Sequence, residues 1–206
     1  LFGFSIAIAG SYDDFFAAIR QNNDQTIRAL LRRGFDPNTL SPTGEPGLIL
    51  AVNENSFKSV AALLESSQTN VELRTLKDES ALMLAALRGH IDLCRQLIAR
   101  DADVNKPGWT PLHYAATGGH IPILKLLLEN HAYIDASSPN GSTPLMMAAR
   151  YGTLEAVQLL LDEGADPLIK NALGLSAIDF AGQHQREHIV SAIAAVVREK
   201  RKSVGW

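Results

Sequence analysis

The chain has 206 residues, is 46% apolar and carries a formal net charge of −3. That length suits one or two domains with a continuous core, and a weakly acidic balance with no basic face evident argues against a nucleic-acid partner. Cys94 is the one cysteine, which excludes an intramolecular disulfide.

Residues 1–9 are uncharged and apolar and end Ala7-Ile8-Ala9. They read as the remnant of a signal-peptide h-region with an A-x-A cleavage site, so that the mature chain would start near Gly10 in the periplasm or outside the cell. The bland alternative is a hydrophobic N-terminal segment packed on the first repeated unit, in a cytoplasmic protein. The run is too short to span a bilayer.

Residues 10–202 read as one domain made of a repeated unit, with 203–206 as a tail. Residues 11–45 form a first, capping unit around Phe15-Phe16-Ala-Ala-Ile-Arg-Gln-Asn-Asn-Asp24, closing at Gly34-Phe-Asp-Pro37. Residues 46–79 open on Pro46-Gly-Leu-Ile-Leu-Ala-Val52 and carry one extra residue around Glu65–Thr69. Residues 80–109 open on Ser80-Ala-Leu-Met-Leu-Ala-Ala86, place Cys94 at an apolar helical position and close at Asp101-Ala-Asp-Val104. Residues 110–142 and 143–175 open on Thr110-Pro-Leu-His-Tyr-Ala-Ala116 and Thr143-Pro-Leu-Met-Met-Ala-Ala149. Residues 176–202 open on Ser176-Ala-Ile-Asp-Phe-Ala-Gly182 and end in Arg198-Glu-Lys-Arg-Lys202, a solvated helix end with its charge well placed for the dipole. Successive motifs start 34, 30, 33 and 33 residues apart.

Each unit has the grammar of two helices and a loop. Thr110 and Thr143 can cap a helix that Pro111 and Pro144 open. Apolar residues then recur at helical spacing, as in Ile121, Ile123, Leu124, Leu127 and Leu128, or Leu154, Val157, Leu160 and Leu161. Gly34 and Gly164 suit the left-handed residue that ends the second helix. Asp101 and His131 stand at that position in other units, at some conformational cost. One unit alone cannot bury its apolar face, so units must stack.

This pattern resembles the ankyrin repeat. The motif at Thr110 is close to the family's TPLHxAA, Gly118-Gly119-His120 matches its inter-helix turn, and Leu127-Leu128-Glu-Asn-His-Ala-Tyr-Ile-Asp135 matches the end of its second helix apart from His131. The resemblance covers roughly residues 11–200 and implies an all-α ankyrin-repeat solenoid. Each repeat would be helix-turn-helix plus a β-turn finger loop, with about six repeats including caps. It also implies that His113 is structural, bonding loop backbone and the neighbouring repeat, and that His90 and His120 are structural in their turns.

The resemblance implies function too: a non-catalytic, monomeric module that binds a protein partner in a concave groove, without cofactor, metal or catalytic residues. Groove positions carried over on the fingers are Thr43, Glu45, Lys77, Glu79, Trp109, Asn140, Ser142 and Leu175. At the first-helix ends they are Asn53, Glu54, Leu87, Arg88, Thr117, Arg150, Tyr151, Gln183 and His184. Trp109, Tyr151 and Arg150 are the residue types that dominate interface energetics; the alternative for Trp109 is packing on its own loop or on the next repeat. The finger before it takes six steps from Val104 to Thr110 where its equivalents take nine, which would leave a notch beside Trp109.

If exported, the chain would be a bacterial scaffold or an inhibitor or immunity-type binder of another exported protein. Three further readings remain. A self-associating structural protein would use Leu87 and Leu175. A fragment of a longer protein would have its activity upstream. A zinc hydrolase would use His184-Gln-Arg-Glu-His188, an H-x-x-E-H pattern; the repeat register puts His184 at the end of one helix and Glu187 and His188 at the start of the next. Asn140-Gly-Ser142 also matches a glycosylation sequon.

Overall fold

The computed structural model describes residues 2–203, with side chains for 10–200 and Lys202. Leu1, the side chains of the rest of the apolar N-terminal run and most of the 203–206 tail lie outside the described residues. Among these, twelve helices form six consecutive pairs: α1 (Phe2–Arg20) and α2 (Asp24–Arg32), α3 (Gly47–Asn53) and α4 (Phe57–Glu65), α5 (Ala81–Arg88) and α6 (Ile91–Ile98), α7 (Pro111–Gly118) and α8 (Ile121–Glu129), α9 (Pro144–Tyr151) and α10 (Leu154–Asp162), α11 (Ala177–Gln183) and α12 (Glu187–Ser203). The expected cleavage position after Ala9 falls inside α1. No described helix is long and apolar enough to cross a membrane.

The motif's fourth residue closes α5, α7, α9 and α11 through three kinds of side chain, whereas Ile49 leaves α3 without a side-chain cap. Met83 and Met146 present the thioether to the N–H of Ser80 and Thr143, and their own N–H groups donate back to the Ser80 and Thr143 hydroxyls. Asp179 accepts from both N–H (2.8 Å) and hydroxyl (2.6 Å) of Ser176, whose bonds hold its carboxyl below the usual range. His113 Nδ1 faces the N–H (3.2 Å) and hydroxyl (2.9 Å) of Thr110. All are reciprocal closures of a helix N-terminus.

Second helices end as the sequence demands: φ is +85° at Gly34 and +100° at Gly164, and +62° and +64° at Asp101 and His131. His131→Gly is therefore expected to stabilise the protein by about 1 kcal/mol, by removing the left-handed penalty of a Cβ. A thermal melt that moves down instead would show that the imidazole makes up for the strain.

Packing divides the chain into two compact units. The first comprises the described residues through Leu84 together with Ala99–Ala102, and the second Ala85–Ile98 and the described residues from Asp103. In the first, α1 packs on α3 and α2 on α4, over a core that includes Phe15, Ile19, Ile27, Ile49 and Leu63. In the second, α7, α9 and α11 form one layer and α6, α8, α10 and α12 the other. The alanine pairs let helices of one layer approach closely: Ala115, Ala116, Ala148 and Ala149 are fully buried, and a Cβ at Gly152 would collide with the Ala116 carbonyl.

Side chains tie each repeat to the next. Asn38 donates to Gln68 O and accepts from Asn70 N–H, both at 2.8 Å, and Asn105 does the same with His131 O and Tyr133 N–H. Asp135, at the same register, accepts from Asp166 N–H at 3.1 Å; burial, with the Asp166 charge adding, raises its pKa. Arg100 donates to Leu64 O, Ser66 O and Thr69 O, and Arg186 to Ala148 O, Ala149 O and Gly152 O, so a guanidinium closes the free carbonyls of a neighbouring helix.

Candidate functional site: finger loops and first-helix ends

Four fingers share one hairpin. Ser41, Thr75, Ser138 and Asn171 each donate their N–H to the carbonyl four residues on (Glu45, Glu79, Ser142, Leu175). Each also accepts that residue's N–H on its side-chain oxygen. Short polar side chains with a local acceptor suit this turn chemistry. The tip residues Gly44, Asp78, Gly141 and Gly174 all have positive φ.

The shortened finger is built otherwise. Lys106 is only 3% exposed and donates from Nζ to Trp109 O at 3.3 Å. The half-buried Trp109 ring stands edge-on to His113 with centroids 5.2 Å apart. Trp109 therefore packs on the first helix of the repeat that follows it, which reduces the ring surface it can offer a partner.

In the first unit the structure brings five predicted residues together, Thr43 among them. Glu45, Asn53, Lys77 and Glu79 line a cavity of about 310 Å³ with Thr43, Thr75 and Leu76. Asn53 donates to the Glu45 carboxylate, so finger and helix end are bonded across it. Glu79 accepts from the Thr75 hydroxyl at 3.1 Å, Lys77 is exposed, and Glu54 is exposed outside the cavity lining. Leu76 projects from the second finger's tip at 90% exposure.

In the second unit, Arg150, Tyr151 and His184 form a cluster. The Arg150 guanidinium stacks 4.7 Å over the Tyr151 ring, and the Tyr151 and His184 ring centroids are 6.2 Å apart. Tyr151 is 51% exposed, and Gln183 and Arg88 are exposed. Arg150 Nε is buried without a hydrogen-bond partner. Asn140 is exposed, but its Oδ1 is used by Ser138 Oγ and Ser142 N–H. Thr117 spends its hydroxyl on His113 O at 2.9 Å.

Three assignments need correction. Ser142 is 1% exposed: its carbonyl accepts from His113 and its hydroxyl from Asn171, so its side chain is part of the finger's interior. Leu87 and Leu175 are half-buried, and the exposed apolar residue of the last finger is Leu173, at 76%. The turn pivots on Asn171, which pulls Leu175 back toward the helix and leaves Leu173 at the tip.

The histidines are held by backbone. His113 is fully buried and donates from Nε2 to Ser142 O at 2.9 Å; burial pushes its pKa down to about 4. His120 lies 2.9 Å from Leu87 O through Nε2. Burial also lowers His90, with Arg88 adding to the effect. Cys94 is buried at 0% exposure and its thiol is pushed up to about 12, which suits a packed apolar side chain. His184 ends α11 and donates from Nδ1 to Phe180 O at 3.0 Å, whereas Glu187 and His188 begin α12. Among the described residues no three His, Cys, Asp or Glu are grouped to hold a metal ion.

The comparisons agree with this architecture. The family described as ankyrin repeats (3 copies) matches over residues 15–107, 48–138, 82–171 and 132–198. The chain is 33% identical over 173 residues to the tyrosine-protein kinase Shark of Drosophila melanogaster, covering 82% of this chain and 18% of that protein. It is 30% identical over 181 residues to a putative ankyrin repeat-containing protein of Treponema pallidum (strain Nichols), covering 83% of this chain and 58% of that one. It is 30% identical over 168 residues to SH3 and multiple ankyrin repeat domains protein 2 of Homo sapiens, covering 79% of this chain and 9% of that protein. The chain thus spans less than two thirds of the length of each of these relatives. Ankyrin repeats are protein–protein interaction modules and generally non-catalytic. With six helix pairs, hairpin fingers and family matches reaching from residue 15 to 198, the chain belongs to the ankyrin repeat family.

Proposed function

We propose that this chain is a non-catalytic binding module that holds a partner protein on its finger tips and first-helix ends. The observation that carries the reading is the cavity lined by Glu45, Asn53, Lys77 and Glu79, where two fingers and a helix end converge on one concave site. The surfaces are held by backbone hairpins, so binding is expected to need little rearrangement. Affinity purification from the native cell tests it, with wild type beside Lys77→Ala/Tyr151→Ala and a control on the exposed face of α10, Glu155→Ala. The double variant should lose its partner, with truncation of a hot spot costing about 2 kcal/mol or more. Loss only with Glu155→Ala would move the site to the second helices, and a stable homo-oligomer without other partners would favour self-association through Leu76 and Leu173.

In the same proposal the chain acts outside the cytoplasm, bound to another exported protein as scaffold or inhibitor. Its support is the apolar run of residues 1–9 ending Ala7-Ile8-Ala9. The N-terminal mass of untagged protein recovered from cells tests this, and mature protein that retains those residues would overturn it.

A further inference from the structure

The net charge of −3 conceals a segregated distribution in the second unit. The finger tips 137–142 and 170–175 and the helix-end residues Leu87, Arg88, Thr117, Arg150, Tyr151, Gln183 and His184 contain no Asp or Glu, but they include Arg88, Arg150 and Lys170. Asp179, in the first turn of α11, is tied to Ser176. On α10 the balance reverses: Glu155, Asp162 and, at its C-cap, Glu163 are all exposed.

Arg150 is prepared for a ligand. Its guanidinium is stacked on Tyr151, its Nε is buried without an acceptor, and no described carboxylate forms an ion pair with it. That Nε is out of a partner's reach, so the rest of the fork is what a ligand would meet. Tyr151 fixes the plane of the fork, and His184, held by Phe180 O, borders the Tyr151 ring. A planar guanidinium whose orientation is fixed beforehand suits a carboxylate, which it can meet with two parallel bonds.

Resting on the reading of these surfaces as the binding face, we infer that Arg150 with Tyr151 and His184 is the receiving site for a carboxylate-bearing, Asp- or Glu-rich segment of the partner protein. Arg88 and Lys170 supply longer-range attraction that would speed encounter. The chemistry favours a protein carboxylate over a nucleic acid, because single strands are held by a succession of stacked aromatics and here the exposed ring is Tyr151 alone among the helix-end residues.

The test is an NMR titration of the isotopically labelled protein with a short unstructured glutamate-rich peptide and its glutamine counterpart. The glutamate peptide should shift the backbone and side-chain signals of Arg150, Tyr151 and His184, and the glutamine peptide should not. Arg150→Gln should weaken binding about fivefold or more, and Arg150→Lys, which keeps the charge but loses the fork, should restore little of it. Shifts confined to the basic end of α12, equal shifts with both peptides, or no shifts would overturn the inference. So would an oligothymidine strand that displaces the peptide and binds more tightly. If the glutamine peptide instead perturbs Asn140 and Leu173, the binding face stands and the acidic specificity falls. If shifts appear only on the exposed residues of α8 and α10, both fall. Because the wild-type map decides these outcomes, an Arg150 variant that fails to fold leaves the test intact.

Discussion

His113→Ala should destabilise the second unit by about 3 kcal/mol, since it leaves two buried backbone groups unmet and opens a cavity. The imidazole is fully buried between Thr110, whose N–H and hydroxyl face Nδ1, and Ser142, whose carbonyl takes Nε2–H. That arrangement defines the neutral tautomer. A proton on Nδ1 would point at the Thr110 N–H and lose its acceptor. The consequence is a pH dependence of definite sign. The unfolded histidine titrates near 6.5 and the folded one at about 4. Between those values the unfolded chain binds more protons, so the contribution is complete above 6.5 and is lost as pH falls toward 4. The gap corresponds to roughly 3 kcal/mol. Chemical denaturation across that window should show wild type losing stability and His113→Gln losing much less. A parallel slope in the variant would assign the effect to other groups.

Phe15→Ala should cost the first unit about 3–5 kcal/mol, the range for a large aromatic removed from a core. Phe15 is fully buried, with ring centroids 5.1 Å from Phe16 and 4.7 Å from Phe35. Across from it, a Cβ at Gly47 would lie 2.7 Å from the Phe15 ring. Gly47→Ala alone should therefore be destabilising by about 1–3 kcal/mol through overpacking. In the Phe15→Ala background the same methyl group enters vacated space and gains helix propensity. The double variant should then be more stable than the sum of the single losses predicts. Strict additivity would mean that the ring and the glycine do not share a boundary.

The helix pairs were legible because the signals that define them are local: a capping Thr or Ser, Pro at the first turn, apolar spacing, Gly or a tolerant residue at the end. The structural role of His113 was implied by the resemblance of its motif to the family's. Finger side chains were harder. Ser142 has the look of an exposed loop serine, but the hairpin that Ser138 initiates turns it inward. Leu173 and Leu175 are two residues apart in one turn, and the choice of which projects depends on where Asn171 pivots it. Trp109 needed the geometry of Lys106 and His113 to be placed. The ties made by Asn38 and Asn105 were not legible, because each joins positions about thirty residues apart with ordinary loop residues at both ends.

Those two asparagine amides are places where a small chemical change would be felt between repeats. Each uses the amide nitrogen to reach a carbonyl and the amide oxygen to take an N–H. Hydrolysis of that amide to a carboxylate changes little in size, but it converts the donor into a second acceptor and aims negative charge at Gln68 O or His131 O. Asp135 tolerates a carboxylate at the same register because its partner there is an N–H from Asp166. Ageing by deamidation at Asn38 or Asn105 would therefore loosen one repeat from the next while leaving each helix pair intact.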